Sequence, residues 1–466
     1  MPESPSRPDS PDPDGLLAWL DTRQDYERTP PSSSRAAFGL GRMRQLLKLL
    51  GNPQLTIPVA HVAGTKGKGS TVAMLGAMLE AAGHRTGRYM SPHIHRIEER
   101  IAVNGMPIST ADLATACGLV RPAVDRLDRL ADRRHDRRVT WFEVMTAVAF
   151  VHFARSDVEI AVLETGLGGR LDATNVCRPV VTVITSISLD HMKLLGPTVG
   201  RIAAEKAGII KRGCPVISGA VQPAARQVIA ATARRRRARL LQLGRDFEAA
   251  SLPAVGDPTG TGRLVVTPPA AYHPPELIQA DLGMPGRHQA DNAALAVVAA
   301  LELDRRGFAV PAAAITRGLA ATSLPARIET ISRAPLVIVD AAHNEASMAS
   351  LIETLQGLLD RHRPRVLLFA ASRDKQLRKM LTTARGRFDH VILTRYVINP
   401  RAAEIDPLLT ACGAAGLPAA EQAESAAAAF RRAKALAGRQ GIIVAAGSFF
   451  LAAEIRAAAG LTGSPA

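Results

Sequence analysis

Aromatic residues make up only 4% of this chain of 466 residues, with two tryptophans and four tyrosines. Proteins that grip single-stranded nucleic acid stack bases on such rings. Their scarcity argues against a nucleic-acid partner, even with a formal charge of +16. Cysteine is scarce as well. Cys117, Cys177, Cys214 and Cys412 lie far apart, with no C-x-x-C or Cys/His cluster to suggest zinc or a disulfide framework. They read as reduced thiols. Long apolar runs are missing: none reaches the ~18–20 residues of a bilayer span, so no membrane partner is expected. The first 14 residues hold five prolines and no apolar core. That predicts a disordered lead, not a signal peptide, and a cytoplasmic protein.

What is present has the balance of a soluble globular protein, 47% hydrophobic and 21% charged. The length favours two or three domains over one core. Much of the positive charge is arginine, as in Arg234 to Arg237 with Arg239. Elsewhere acids dilute it, as in Asp132-Arg133-Arg134-His135-Asp136-Arg137-Arg138. Solvated helix faces are the plain reading; attraction of polyanionic substrates is the alternative.

The stretch Ala60-His61-Val62-Ala63-Gly64-Thr65-Lys66-Gly67-Lys68-Gly69-Ser70 reads as a buried strand, a glycine turn and a helix start. Glycines let backbone N–H groups turn inward without Cβ clashes. On a helix N-terminus such a nest holds a polyphosphate. Lys68 would reach terminal phosphates and Ser70 would offer a hydroxyl to Mg²⁺. The spacing departs from G-x-x-x-x-G-K-[ST], because Gly69 stands between Lys68 and Ser70.

Residues 15–50 carry leucines at helical spacing. Pro58 to Ala63 reads as a strand and Ser70 to Ala82 as a helix closed by Gly83. Glu159 to Glu164 and Val180 to Ile187 are apolar runs expected of strands buried on both faces. Thr140 to Ala154 and Pro285 to Leu303 read as helices. Residues 252–286, with seven prolines, predict an irregular excursion or short antiparallel strands. A second series places strands at 336–340, 365–371, 389–394 and 441–446, separated by alanine-rich helices. The alternation argues for α/β architecture with mainly parallel sheets. The hinge is expected at Thr322-Ser323-Leu324-Pro325. No internal repeat is visible, which excludes a solenoid.

Ligands in open α/β sheets sit at the C-terminal ends of strands. Glu164 ends one strand and is placed to hold Mg²⁺ directly or through water; a strand-end salt bridge is the alternative. Ser188-Leu189-Asp190-His191 is read as the end of the next strand, with His191 as a metal ligand or phosphate contact. Lys206, at a helix end, looks ordinary by residue type. Asp340, followed by Ala341-Ala342-His343-Asn344, repeats the pattern of a polar cluster at a sheet edge. Phosphoryl transfer needs charge neutralised from several sides, and a closing cleft would bring the glycine loop to Asp340 and His343.

These residues together resemble the folylpolyglutamate synthase/dihydrofolate synthase family of the Mur ligase superfamily. The matching segments are HVAGTKGKGST at 61–71, YMSPHIHRIEERIAVNG at 89–105, TWFEVMTAVAF at 140–150 and ETGLGGRLDATNV at 164–176. They continue with TSISLDHMKLLG at 185–196, IAAEKAGIIKRG at 202–213, GRHQADNAALA at 286–296 and VIVDAAHN at 337–344. The resemblance implies an extension at 1–35, disordered or helical. It implies a P-loop-type ATPase domain with a mainly parallel sheet at 36–322, and a smaller Rossmann-like α/β domain at 323–466. It implies an ATP-dependent ligase that turns a folate or dihydropteroate carboxylate into an acyl phosphate for attack by L-glutamate. Both activities in one monomeric chain are expected.

By the same resemblance, Gly64, Thr65, Lys66, Gly67, Lys68, Gly69, Ser70 and Thr71 form the ATP loop. Ser70 and Glu164 hold one Mg²⁺ and His191 a second. Lys206 matches a lysine that is carbamylated in relatives, and a monovalent cation is allowed. Asn292 resembles an adenine-side contact and Arg327 a phosphate contact. Asp340 and His343 resemble ribose and terminal-phosphate contacts. Lys68, His191, Lys206, Arg327 and His343 are the expected catalytic set. Ser91, Pro92 and His93 match a loop near the folate, and Thr140, Phe142 and Asp172 lie near the pterin pocket.

Three positions depart from the family pattern. Lys66 stands where asparagine is common and would add charge beside the phosphates. Ala326, in Pro325-Ala326-Arg327, replaces a glycine, and alanine resists positive φ, so a different turn is expected. Glu345 replaces a proline. A ligase acting on a peptidoglycan precursor, and a nucleic-acid-binding P-loop protein, are the competing readings. The Ser91-Pro92-His93 loop argues against the first and the Asp340/His343 cluster against the second. Which folate carboxylate is the acceptor depends on pocket shape, which the sequence leaves open.

Overall fold

A computed structural model of the chain describes residues 13–29, 38–134, 136–252, 262–270, 272 and 277–461. The proline-rich lead at 1–12 lies outside the described residues. Among these residues the contacts fall into two compact units. The first is built on Met1–Pro92, Ile97–Gln242 and Ala299–Val310; the second on His93–Arg96, Leu243–Val298 and Pro311–Ala466.

The first unit carries β1 (Val59–Ala63), β2 (Thr86–Tyr89), β3 (Ile101–Val103), β4 (Met106–Pro107), β5 (Ile160–Glu164), β6 (Pro179–Ile184), β7 (Val216–Ser218) and β8 (Leu240–Gln242). They form one sheet in the order β4-β3-β2-β5-β1-β6-β7-β8. From β2 to β8 every pairing is parallel. β1 and β5 are buried at every position, as expected of strands covered by helices on both faces. One apolar cluster joins Val59, Ala161 and Leu163 to the helices Leu40–Leu49, Thr110–Arg134 and Trp141–Arg155. Another joins Ala63, Ile184 and Val216 to Val199–Ala207 and Pro223–Arg235. Among the described residues, the expected helical run at 15–50 holds two helices, Pro13–Asp21 and Leu40–Leu49. Leu16, Trp19 and Leu20 of the first pack into the main cluster.

β3 and β4 form an antiparallel hairpin that the sequence reading passed over. Its signal is Asn104-Gly105, with φ of 49° and 77°, the pattern of a two-residue hairpin turn. Strand β6 also stops at Ile184, short of the expected Ser188–His191 end. Residues 185–188 instead turn their hydrogen bonds toward the glycine loop: Thr65 N donates to Ser186 O at 2.7 Å and Ser188 N to Thr65 Oγ1 at 3.1 Å.

In the second unit, residues 248–281 form a three-stranded antiparallel sheet, Glu248–Leu252, Arg263–Thr267 and Ile278–Asp281. A six-stranded sheet follows, in the spatial order Glu329–Arg333, Leu336–Val339, Ile442–Ala446, Arg365–Phe369, His390–Leu393, Ala420–Gln422. All pairings are parallel except the first. The two outer strands are polar and partly exposed, so apolar patterning did not mark them. Among the described residues no helix is long and apolar enough to cross a membrane. The four cysteines are buried and unpaired with one another, and Arg234 to Arg237 and Arg239 are exposed.

Candidate functional site

The glycine loop leaves β1 at Ala63 and enters the helix Lys68–Ala81 through Gly67. Gly67 has φ +83°, a conformation that L side chains resist. At Gly64 the constraint is space: an added Cβ would overlap Thr185 Oγ1. Thr185 Oγ1 donates to Lys66 O at 2.6 Å, so the loop is seated on residues 185–186. Gly67 supplies no side-chain cap to the helix, which leaves the first amides and the positive end of the dipole to a ligand. Ser70 is 3% exposed and Thr71 fully buried. The hydroxyls of Thr71 and Thr165 are buried without a hydrogen-bond partner. An orphaned buried hydroxyl is costly; two of them adjoin Ser70 and Glu164 in sequence. Thr165 was not singled out from sequence, because a threonine after a strand carries no signal of its own.

Glu164 ends β5 beside this loop. Its Oε1 lies 3.6 Å from Lys68 Nζ and its Oε2 accepts from Ser91 N at 3.3 Å. Lys68, Glu164 and Ser91 are thus neighbours, and the Lys68 contact is the strand-end ion pair that stood as the alternative to a metal role for Glu164. Asp172 has another task. Its Oδ1 accepts from Thr174 N at 3.0 Å and Thr174 Oγ1 at 2.6 Å, and its Oδ2 from Leu167 N at 2.9 Å. Burial raises its pKa against these bonds. The carboxylate closes the 164–174 loop. Thr174 Oγ1 also lies 2.8 Å from His61 Nε2. Since the hydroxyl donates to Asp172, it accepts from His61, which fixes the Nε2–H tautomer. Burial, then Lys211, lowers the His61 pKa to about 3.

Lys66 forms an ion pair with Asp190, Nζ to Oδ2 at 3.1 Å. Its added charge is therefore partly offset by a carboxylate that sequence reading left without a role. His191 follows, with φ +47° at the start of Met192–Leu195, and its side chain is 40% exposed. Its Nε2 lies 3.9 Å from Asp190 Oδ1. Lys206 is 4% exposed and its Nζ donates to Gly64 O at 2.6 Å. Burial first, then the charges of Lys68 and Lys66 against that of Asp190, lower its pKa to about 7. Among the described residues no three His, Cys, Asp or Glu side chains gather as a metal cluster.

Thr140 caps the helix Trp141–Arg155. Its Oγ1 accepts from Glu143 N at 3.3 Å, and Glu143 Oε2 accepts from Thr140 N at 2.9 Å, a capping box. Phe142 lies against Gly166, where an added Cβ would meet its Cζ at 2.6 Å. The Ser91-Pro92 bond is cis, and His93 opens the stretch grouped with the second unit.

In the second unit Asn292 is buried and its Nδ2 donates to Gln289 Oε1 at 3.1 Å. Asp340 follows Val339 at a strand end, buried. Its two oxygens accept from Ile328 N at 2.8 Å and Ala342 N at 2.7 Å. Burial raises its pKa, opposed first by the charge of Arg327. His343 Nδ1 lies 2.9 Å from Ala341 O. A carbonyl can only accept, so Nδ1 carries the proton. Glu345 opens the helix Glu345–Arg361, capped by Asn344. Ala326 takes φ +55°, so the expected departure of this turn is overturned: alanine adopts the left-handed conformation that suits glycine.

The Mur ligase middle domain matches residues 62–300 and the Mur ligase glutamate ligase domain residues 326–449. The dihydrofolate synthase/folylpolyglutamate synthase of Bacillus subtilis is 41% identical over 348 residues, 74% of this chain and 77% of that protein. The enzyme of the same description from Mycobacterium tuberculosis is 34% identical, over 86% of this chain and 83% of its own. Among solved structures, the Mycobacterium tuberculosis folylpolyglutamate synthase complexed with ADP superposes with a TM-score of 0.84 at 32% identity, over 96% of this chain and 99% of that one. E. coli FolC in complex with DHPP and ADP gives 0.78 at 30% identity, over 98% of each chain.

Proposed function

Because the chain belongs to the folylpolyglutamate synthase/dihydrofolate synthase family of the Mur ligases, we propose that it uses ATP to join L-glutamate to dihydropteroate and to reduced folates. The observation that carries this reading is the strand–glycine loop–helix at 59–81, with Lys68 against Glu164 and Lys206 beneath Gly64. A carboxylate is a poor acyl donor until one oxygen becomes part of a leaving group. The γ-phosphoryl passes to that oxygen and ADP departs. The glutamate amine then attacks the acyl carbon, and the tetrahedral intermediate expels phosphate.

The chain's residues supply charge and position. The helix amides after Gly67 and the Lys68 ammonium are assigned to the phosphates. Arg327 and His343 are assigned to phosphate, Asp340 to ribose and Asn292 to adenine. The loop Ser91-Pro92-His93 with Phe142 is assigned to the acceptor. Asp172 and Thr140 support that pocket through the loop and helix they fasten. We keep Thr322/Ser323 as the proposed boundary between ATPase and glutamate-ligase domains, although Leu243–Val298 and residues 311–322 group with the second unit by contacts.

Mg²⁺ takes hard oxygens from one or two side chains and leaves other positions to phosphates and water. Ser70 and Glu164 fit that donor set, with the orphaned Thr71 and Thr165 hydroxyls adjoining. Bound there, Mg²⁺ would draw charge from the phosphates. A second ion at His191 needs another hard donor. Lys206 fits only once carbamylated, and a pKa of about 7 gives it the neutral amine that carbamylation requires. The monovalent cation allowed by the resemblance has no donor set to argue from and is left out. A cytoplasmic monomer completes the reading.

The acyl phosphate is tested by labelling the acceptor carboxylate with heavy oxygen. One labelled oxygen should appear in the released phosphate. Unlabelled phosphate with amide formation would contradict acyl phosphate chemistry.

A further inference from the structure

Arg327 sits between two residues in left-handed backbone, Ala326 at φ +55° and Ile328 at φ +51°. A β-branched residue there is a true outlier. Such strain persists where the surroundings over-determine it, and it concentrates at functional sites. Three hydrogen bonds supply the restraint. Ile328 N donates to Asp340 Oδ2 at 2.8 Å, Ala341 N to Ala326 O at 2.9 Å, and Ala326 N to Glu329 Oε2 at 2.8 Å.

Glu329 is held in turn. Its Oε1 pairs with Nη1 of Arg456, in the helix Phe449–Ala458. Arg456 is 1% exposed, the largest of the fully buried side chains. Burying a guanidinium is expensive unless its partners are well placed. Its Nε also donates to His95 Nε2 at 3.2 Å. The same helix also meets Arg327 itself, whose guanidinium lies 5.2 Å from the ring centre of Phe449. One helix therefore acts on Arg327 twice: by a ring against its side chain, and by an ion pair that fastens the amide of Ala326 before it.

We propose that Arg456, acting through Glu329, is a positioning residue for Arg327, holding the strained turn that carries its guanidinium. This rests on the assignment of Arg327 to phosphate given above.

The test compares Arg456→Met, Glu329→Ala and Glu329→Gln, each alone and combined with Arg327→Ala, by kcat and KM for ATP. Melting temperature is followed in parallel. Glu329→Gln turns one of the two acceptor oxygens into a donor, so it keeps Ala326 N or Arg456 but not both and should fall between the parent and Glu329→Ala. Glu329→Ala and Arg456→Met should lower kcat/KM for ATP by ~10- to 100-fold, the scale of a misplaced catalytic group. In the Arg327→Ala background they should add almost nothing. Losses that multiply in that background would overturn the proposal and leave the pair a structural one. Parental kinetics for Glu329→Ala would overturn the backbone route. If Arg456→Met does not fold, the Glu329 pair of variants decides alone. An Arg327→Ala enzyme with full activity would refute the phosphate assignment itself, and the proposal with it, a result distinct from either failure above.

Discussion

Lys206 Nζ donates to the carbonyl oxygen of Gly64 across 2.6 Å, so a buried amine 142 residues further along the chain holds the point where β1 becomes the phosphate loop. Its folded pKa of about 7 lies below the ordinary 10.5. Between those values the unfolded chain holds a proton that the folded chain lacks, so stability rises with pH across the window. The slope approaches ~1.4 kcal/mol per pH unit. In carbon-dioxide-free buffer, the parent should gain stability on Lys206→Met by a few kcal/mol from pH ~7 to ~10. Parallel denaturation curves for the two would contradict the lowered pKa.

Gly64→Ala should damage nucleotide binding more than folding. The new methyl displaces Thr185 Oγ1 and with it the bond to Lys66 O. The loop then shifts on its seat, and a loss of ~100-fold in kcat/KM for ATP is expected. Adding Thr185→Ala removes the overlapping oxygen and should restore part of it. A single variant with parental kinetics would show that the seat does not matter.

Asp340→Ala leaves the amides of Ile328 and Ala342 without acceptors. At ~1–3 kcal/mol for each buried orphan, the unfolding transition of the second unit should move down by several degrees in calorimetry. Asp340→Asn keeps one acceptor and should fall between. An unchanged transition for Asp340→Ala would mean that water replaces the carboxylate.

Thr140→Val should cost about 1 kcal/mol, the usual value of a lost N-cap, and Thr140→Ser should recover it. Chemical denaturation reads both. A raised KM for the acceptor with no change in stability would make Thr140 a substrate contact and not a cap.

The legible part of this molecule was local. Apolar runs marked β1, β5 and β6, and glycines marked the turn between β1 and its helix. For 252–286 the prolines left an irregular excursion and short antiparallel strands both open, and the described residues there include the antiparallel strands Arg263–Thr267 and Ile278–Asp281. What stayed hidden depended on distance or context. The Lys66–Asp190 pair spans 124 residues, and nothing at either position announces the other. By residue type Lys206 looked like an ordinary helix-end lysine and only the family resemblance singled it out; its burial and the neighbouring ammonium groups depend on the fold. Pro122 and the dense charges of Thr110–Arg134 masked a helix of 25 residues. Ala326 misled in the other direction: its intrinsic preference is real, but Glu329 and Ala341 override it.

The central claim is glutamate ligation driven by ATP. It is tested most directly by glutamate-dependent ADP release, with 7,8-dihydropteroate and tetrahydrofolate as alternative acceptors. The account predicts release and amide product with both. Turnover with one alone would narrow the chain to a single activity. A protein that binds ATP yet releases no ADP with either acceptor would contradict the account.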